Sequence, residues 1–366
     1  MAYPGGMIPH MAVGDSWPIP ESPEEMFTWT NLDAETVRCD GFAAGYEETQ
    51  NIHIPSVANG RQVTMIQYSA SGSAGAGGFG GRTNLKRVKI PSSVKVIGSR
   101  SFGDCGLEII DISDGVERIS RSAFYGNKTL ETLDLPESVT HVSRQILGEC
   151  ESFEYLRIKG NINFYSNDAG DPDTWTPYTD AKIFDLVPDS AVTLEFSDTV
   201  TALPIKNANG PRQFGPGLGH VIIPDTVDVI PAWLFAWEQQ LETAEIGAVN
   251  TIEAFAFALS GLEGTLPLKP GLTTVEQQPF AATQLTGITY PDTLQTLGVM
   301  GNAFNETPNL KTVIFEGNAP SVSENLYRYL EPDLTTYAPT GATGWPTGDP
   351  PLYWPPGSHQ RPFEYA

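Results

Sequence analysis

The chain is short of cysteine, of positive charge and of long apolar runs. Three cysteines in 366 residues cannot build the disulfide framework of a small secreted domain. Lysine and arginine number 21 against 44 aspartates and glutamates, a formal charge of −23. A field of that sign repels nucleic acid and anionic membranes, and it favours solubility and cationic partners. No stretch approaches the roughly 20 apolar residues of a membrane span, so insertion into a bilayer is not expected. The opening MAYPGGMIPHMAVGDSWPIP has no basic region followed by an apolar run, so it does not read as a secretory signal.

Chemistry is also sparse. The five histidines, His10, His53, His141, His220 and His359, are scattered, and no two share metal-ligand spacing. No G-x-S-x-G elbow is present. Asp168, Asp171 and Asp173 lack the spacing and the twelfth-position glutamate of a calcium loop. Gly75, Gly77 and Gly80 satisfy G-x-G-x-x-G only formally, because no βαβ unit surrounds them. The expectation is a protein with no enzyme activity, no cofactor and no metal.

What is present is repetition. Leu85, Leu107, Leu130 and Phe153 open four copies of one unit at steps of 22, 23 and 23 residues. That period marks a leucine-rich-repeat solenoid. Within each copy the apolar positions recur: Val88 and Ile90, Ile110 and Ile112, Leu133 and Leu135 are two apart, as in a strand with one buried face. Pro91 and Pro136 end their strands, since proline cannot donate to a ladder. Phe102, Phe124 and Leu147 close their coils. One coil cannot bury its apolar side alone, so stability requires stacking.

The pattern LxxVxIPxxVxxIG, closed by Ser101-Phe102-Gly103-Asp104-Cys105 and Ala123-Phe124-Tyr125-Gly126-Asn127, resembles the BspA-type (Treponema pallidum-type) leucine-rich repeats. The resemblance implies a mostly β solenoid and a non-enzymatic scaffold, often used in bacterial surface adhesion and host-protein binding.

The organisation expected from the sequence begins with an extended arm over 1–24, in which Trp17 and the neighbouring prolines are docking anchors. A capping hairpin follows over 25–48. The solenoid of about ten coils runs over 49–316, interrupted by a flexible glycine insertion at 71–83 and a second insertion at 159–190. Residues 317–366 form an irregular cap rich in proline and aromatics, with Trp345, Tyr353 and Trp354 as candidate docking anchors. Two readings of 159–190 stand: a plug over the core, or a recognition loop presenting Tyr165, Trp175 and Tyr178. Cys105 and Cys150 occupy the same repeat position two coils apart. Two strand spacings make roughly 10 Å, too far for the Cα atoms of a disulfide. Both are expected as free, packed thiols.

The outward position of each strand gives a candidate binding surface of Lys89, Asp111, Asp134 and Arg157, with lysine and arginine balancing the acids as a charge ladder. The function expected is protein binding. Its narrower form is a structural component of an assembled particle, such as a bacteriophage tail or head appendage, contacting other subunits or a host surface. The alternatives are a free interaction module and a surface adhesin for host proteins or glycans. The corresponding locations are a virion, the cytoplasm, or the cell surface by a route without a secretory signal.

Overall fold

The computed structural model describes residues 20–67, 78–166, 176–177, 185–205, 213–298, 307–322, 334–344 and 364–365. The chain winds as a β-solenoid of about 11 turns. Among the described residues there is no α-helix, only a single 3-10 turn at Glu24–Met26.

Each regular coil has three sides. The first is a strand of about four residues, such as Arg87–Ile90, Ile109–Ile112, Thr132–Leu135 and Tyr155–Ile158. The second is a two-residue strand, such as Val96–Ile97, Arg118–Ile119 and His141–Val142. The third is a tight double turn carrying the closing phenylalanine. Most of these strands pair in parallel with their counterparts one repeat later, so that Val88 meets Ile110 and Leu133 meets Leu156, while the ladder is interrupted between Ile109–Ile112 and Thr132–Leu135. All four side chains are buried in the core. Alternation decides this: residues two apart share a face, and a repeat of 22 or 23 residues, its extra residue taken up outside the strands, keeps that face in register from coil to coil.

The double turns stack a phenylalanine column through the interior. Phe79 lies 5.1 Å from Phe102, Phe102 lies 6.1 Å from Phe124, and Phe214, Phe235, Phe257 and Phe280 continue the line at 5.2, 5.0 and 5.8 Å. These are offset-stacking distances. Two members depart from the sequence expectation. Phe79 falls in the stretch 71–83 expected as a flexible insertion, yet it is fully buried and closes the coil against Phe27 and Phe42. Its surrounding glycines concealed it. Gly41 and Gly78 each hold a positive φ, and a Cβ on Gly41 would collide with the Gly78 carbonyl, so glycine here serves close backbone approach. Phe214 lies in the stretch 206–217, whose glycines and prolines break the coil pattern in the sequence between Leu203 and Leu218, and it is likewise fully buried.

The N-terminal end is closed by an antiparallel hairpin of Phe27–Asn31 and Thr36–Phe42 with an irregularity at Thr28/Trp29. A second hairpin, Val57–Ala58 with Arg61–Ile66, turns through Asn59 and Gly60, both at positive φ, as a two-residue turn demands. At the other end, strand pairing runs past residue 316, where the sequence pattern breaks. Thr335–Ala338 pairs in parallel with Thr312–Phe315, and Glu364–Tyr365 pairs with Thr335–Ala338. Small inward side chains, Thr336 and Ala338, hide the strand period there.

Candidate functional site

The four-residue strands present one outward row of charged groups. Lys89 Nζ lies 3.2 Å from Asp111 Oδ2. Asp134 Oδ2 lies 2.7 Å from Lys159 Nζ. The Arg157 guanidinium donates to Glu195 Oε1 from Nε at 3.0 Å and from Nη2 at 2.8 Å. The row is therefore a ladder of ion pairs, but its partners are not all nearest neighbours by sequence pattern. Arg157 faces Asp134 in register yet turns to Glu195 on its other side, and Lys159, two residues further along the chain, takes Asp134. Lys159 was absent from the sequence-derived surface because it lies just beyond the strand end.

Burial, then the carboxylates of Asp134 and Asp198, push the Glu195 acid up to about 7. The two hydrogen bonds from Arg157 pull the opposite way by favouring the carboxylate. Beyond Glu195 the same row passes through Ile222 and Glu245. A parallel outward row holds Tyr155, Thr193, His220 and Thr243. His220 Nδ1 is 2.6 Å from Thr243 Oγ1, and burial lowers its basicity while Glu245 raises it.

Tyr165 is elsewhere. It belongs to Asn163–Ser166, which pairs with His141–Val142 on the side of the two-residue strands. Its ring is 4.4 Å from that of His141. The structure therefore keeps Tyr165 on a different side from the charged ladder. Trp17, Trp175, Tyr178, Trp345, Tyr353 and Trp354 lie outside the described residues, as do Gly75, Gly77 and the three aspartates Asp168, Asp171 and Asp173.

The cysteines are interior. Cys39, Cys105 and Cys150 are free thiols, and burial pushes each up to about 12. Cys105 Sγ donates to the Phe79 carbonyl and Cys150 Sγ to the Phe124 carbonyl, at 3.1 and 3.3 Å. Among the described residues, no group of three or more histidines, cysteines, aspartates or glutamates could hold a metal ion. Nor, among them, is any helix long and apolar enough to cross a membrane.

The model of the BspA-type leucine-rich repeat region matches residues 62–169 and 215–331, with six copies. The chain belongs to the BspA-type leucine-rich repeat family. Among solved structures, this BspA-type chain is similar to a leucine-rich repeat protein from Bacteroides ovatus, at 21% identity and a TM-score of 0.46, over 86% of this chain and 77% of that one. It is also similar to the Treponema pallidum leucine-rich repeat protein, at 19% identity and a TM-score of 0.39, over 62% and 82%. A third is the pneumococcal vaccine antigen PcpA, at 13% identity and a TM-score of 0.35, over 88% and 93%. None of the curated proteins matches the chain. BspA-type repeats form solenoids that typically serve as non-enzymatic protein-interaction modules.

Proposed function

We propose that the chain is a non-enzymatic protein-binding solenoid whose partner docks on the four-residue strands between Lys89 and Glu195. One observation carries this: three ion pairs in successive coils fix the charged groups of that face in a half-buried row. Charges held by each other lose little rotamer freedom on binding, so the face is preorganised for a partner of complementary pattern. Extended strand faces are the surfaces solenoids use for recognition.

The narrower reading is a building block of an assembled particle, such as a bacteriophage tail or head appendage. It is supported by the acidic body and by the irregular composition of 1–24 and 317–366, which suits docking arms. The second reading, a surface adhesin, is supported by the family itself.

A photocrosslinking residue placed at Arg157, and separately at Thr274 on the side of the two-residue strands, tests the face in the native host. A single adduct from position 157 and none from 274 is the expected outcome; the reverse would overturn the proposed face. Deletion of residues 1–24 tests the narrower reading. A chain that melts normally but no longer enters particles supports it, and a chain that never co-purifies with a particle removes it.

A further inference from the structure

The double turns of the two halves carry opposite chemistry. In each turn two residues adopt left-handed backbone. One column holds Arg100, Ser122, Gln145, Trp233, Phe255 and Gln278 at φ between 50° and 63°. The other includes Asp104, Glu149, Trp237, Leu259 and Ala282 at φ between 55° and 64°. Such backbone disfavours bulky side chains, and polar residues occupy it in the first half. In two adjacent coils of the second half, the same positions hold two tryptophans, a phenylalanine and a leucine. The Trp233 ring stacks on Phe255 at 4.2 Å and on Trp237 at 5.2 Å, with interplanar angles of 13° and 10°. Yet none of these side chains is in the core: the three aromatics are part-exposed, and Leu259 is 42% exposed. Neither backbone preference nor core burial accounts for large apolar groups there.

Carboxylates sit at the base of this stack. Glu253 Oε2 accepts from the Ala232 amide at 2.9 Å, beside Trp233. Glu276 Oε2 accepts from the Ala254 amide at 3.1 Å, beside Phe255. Serines occupy the corresponding position in the first half, at Ser120 and Ser143. Between residues 213 and 298, Lys269 is the only lysine or arginine, against nine aspartates and glutamates. Aromatic rings with flanking carboxylates, in a stretch whose one lysine is paired with Asp225, are complementary to a guanidinium or ammonium on an apolar stem. The rings attract the cation, the carboxylates pair with it, and Leu259 packs the stem.

We propose that Trp233, Trp237, Phe255 and Leu259, with Glu253 and Glu276, form a second docking site, which takes an arginine- or lysine-bearing apolar segment of a partner protein. A second copy of this chain is disfavoured as the occupant, because two bodies of charge −23 repel. The site lies on the side of the double turns, away from the strand face proposed above, and stands or falls independently of it.

The test uses the full chain and fluorescein-labelled decapeptides read by anisotropy: one alternating arginine and leucine, one lysine and serine, one glutamate and leucine. The expected result is saturable binding of the arginine–leucine peptide, at least tenfold tighter than the lysine–serine peptide, with no binding of the acidic one. Trp233→Ala should weaken it at least tenfold and the Glu253→Gln/Glu276→Gln pair about threefold, the latter effect vanishing at high salt. Should Trp233→Ala fail to fold, Leu259→Ser replaces it, because that side chain is largely outside the core. Equal binding of both basic peptides, or unchanged binding by Leu259→Ser, overturns the proposal. So does concentration-dependent self-association in sedimentation that Leu259→Ser abolishes, since the occupant is then a second copy.

Discussion

Asn127 donates its side-chain amide to the main-chain carbonyl of Phe102, one coil back, at 2.8 Å. The same group reaches the Phe124 carbonyl at 2.6 Å, while Asn127 Oδ1 accepts from the Leu107 amide at 3.1 Å. Cys105 and Cys150 occupy this position in the flanking coils and cap only carbonyls. The side chain here thus ties each double turn to its neighbour where main-chain groups would otherwise be buried without partners. Asn127→Ala should destabilise by about 1–3 kcal/mol, the cost of stranding buried polar groups. Asn127→Cys, which restores a carbonyl cap but not the acceptor for Leu107, should cost less. Urea denaturation of the two variants checks the order; equal loss would show that the carbonyl cap contributes nothing and that the lost acceptor for the Leu107 amide carries the effect.

Leu133 lies in register with Leu156 inside the buried row of the strand face. Leu133→Ala should cost roughly 2–5 kcal/mol through lost transfer energy and a residual cavity. Chemical denaturation followed by circular dichroism measures this. A loss below about 1 kcal/mol would show that the neighbouring coils collapse onto the gap.

The thiols of Cys39, Cys105 and Cys150 combine burial with acidities near 12. The thiolate is the reactive species, so all three should resist Ellman's reagent at pH 8 in the folded chain and react together on unfolding. A non-reduced digest should contain no peptide joined through Cys105 and Cys150. Rapid labelling of any one of them without unfolding would mean that its coil opens locally.

Stability should carry opposing pH dependences from His220 and Glu195. Burial holds the His220 base below its ordinary 6.5. The unfolded chain then takes up the proton first, so the stability present above 6.5 is lost as pH falls towards the folded value. Glu195 is raised from 4.5 to about 7. Its contribution is fully present below 4.5 and is lost as pH rises through about 7. His220→Gln should therefore flatten the decline in melting temperature between pH 7 and pH 5, and Glu195→Gln should steepen it. If Glu195→Gln leaves that slope unchanged, the Arg157 hydrogen bonds have cancelled the effect of burial.

Much of this molecule is determined by local pattern, and much of it is not. The 22- and 23-residue steps from Leu85 to Phe153, and the two-residue spacing within each strand, suffice for a parallel β-solenoid with Val88, Ile110, Leu133 and Leu156 in one buried row. Repeat length sets register, and register sets which face is inside. The equivalence of Cys105, Asn127 and Cys150 is equally legible, because it depends only on distance from the closing residue. Tertiary structure alone decided the rest. Phe79 and Phe214 join the core because neighbouring coils offer a slot there, although their own sequence surroundings are glycine- and proline-rich. Arg157 selects Glu195 over Asp134 because a strand has two neighbours, and long side chains choose between them by geometry that spacing does not encode. The Trp233–Phe255 stack is likewise a property of adjacent coils. Each ring is an ordinary apolar residue in sequence, and only left-handed backbone at both positions brings the two together at the surface.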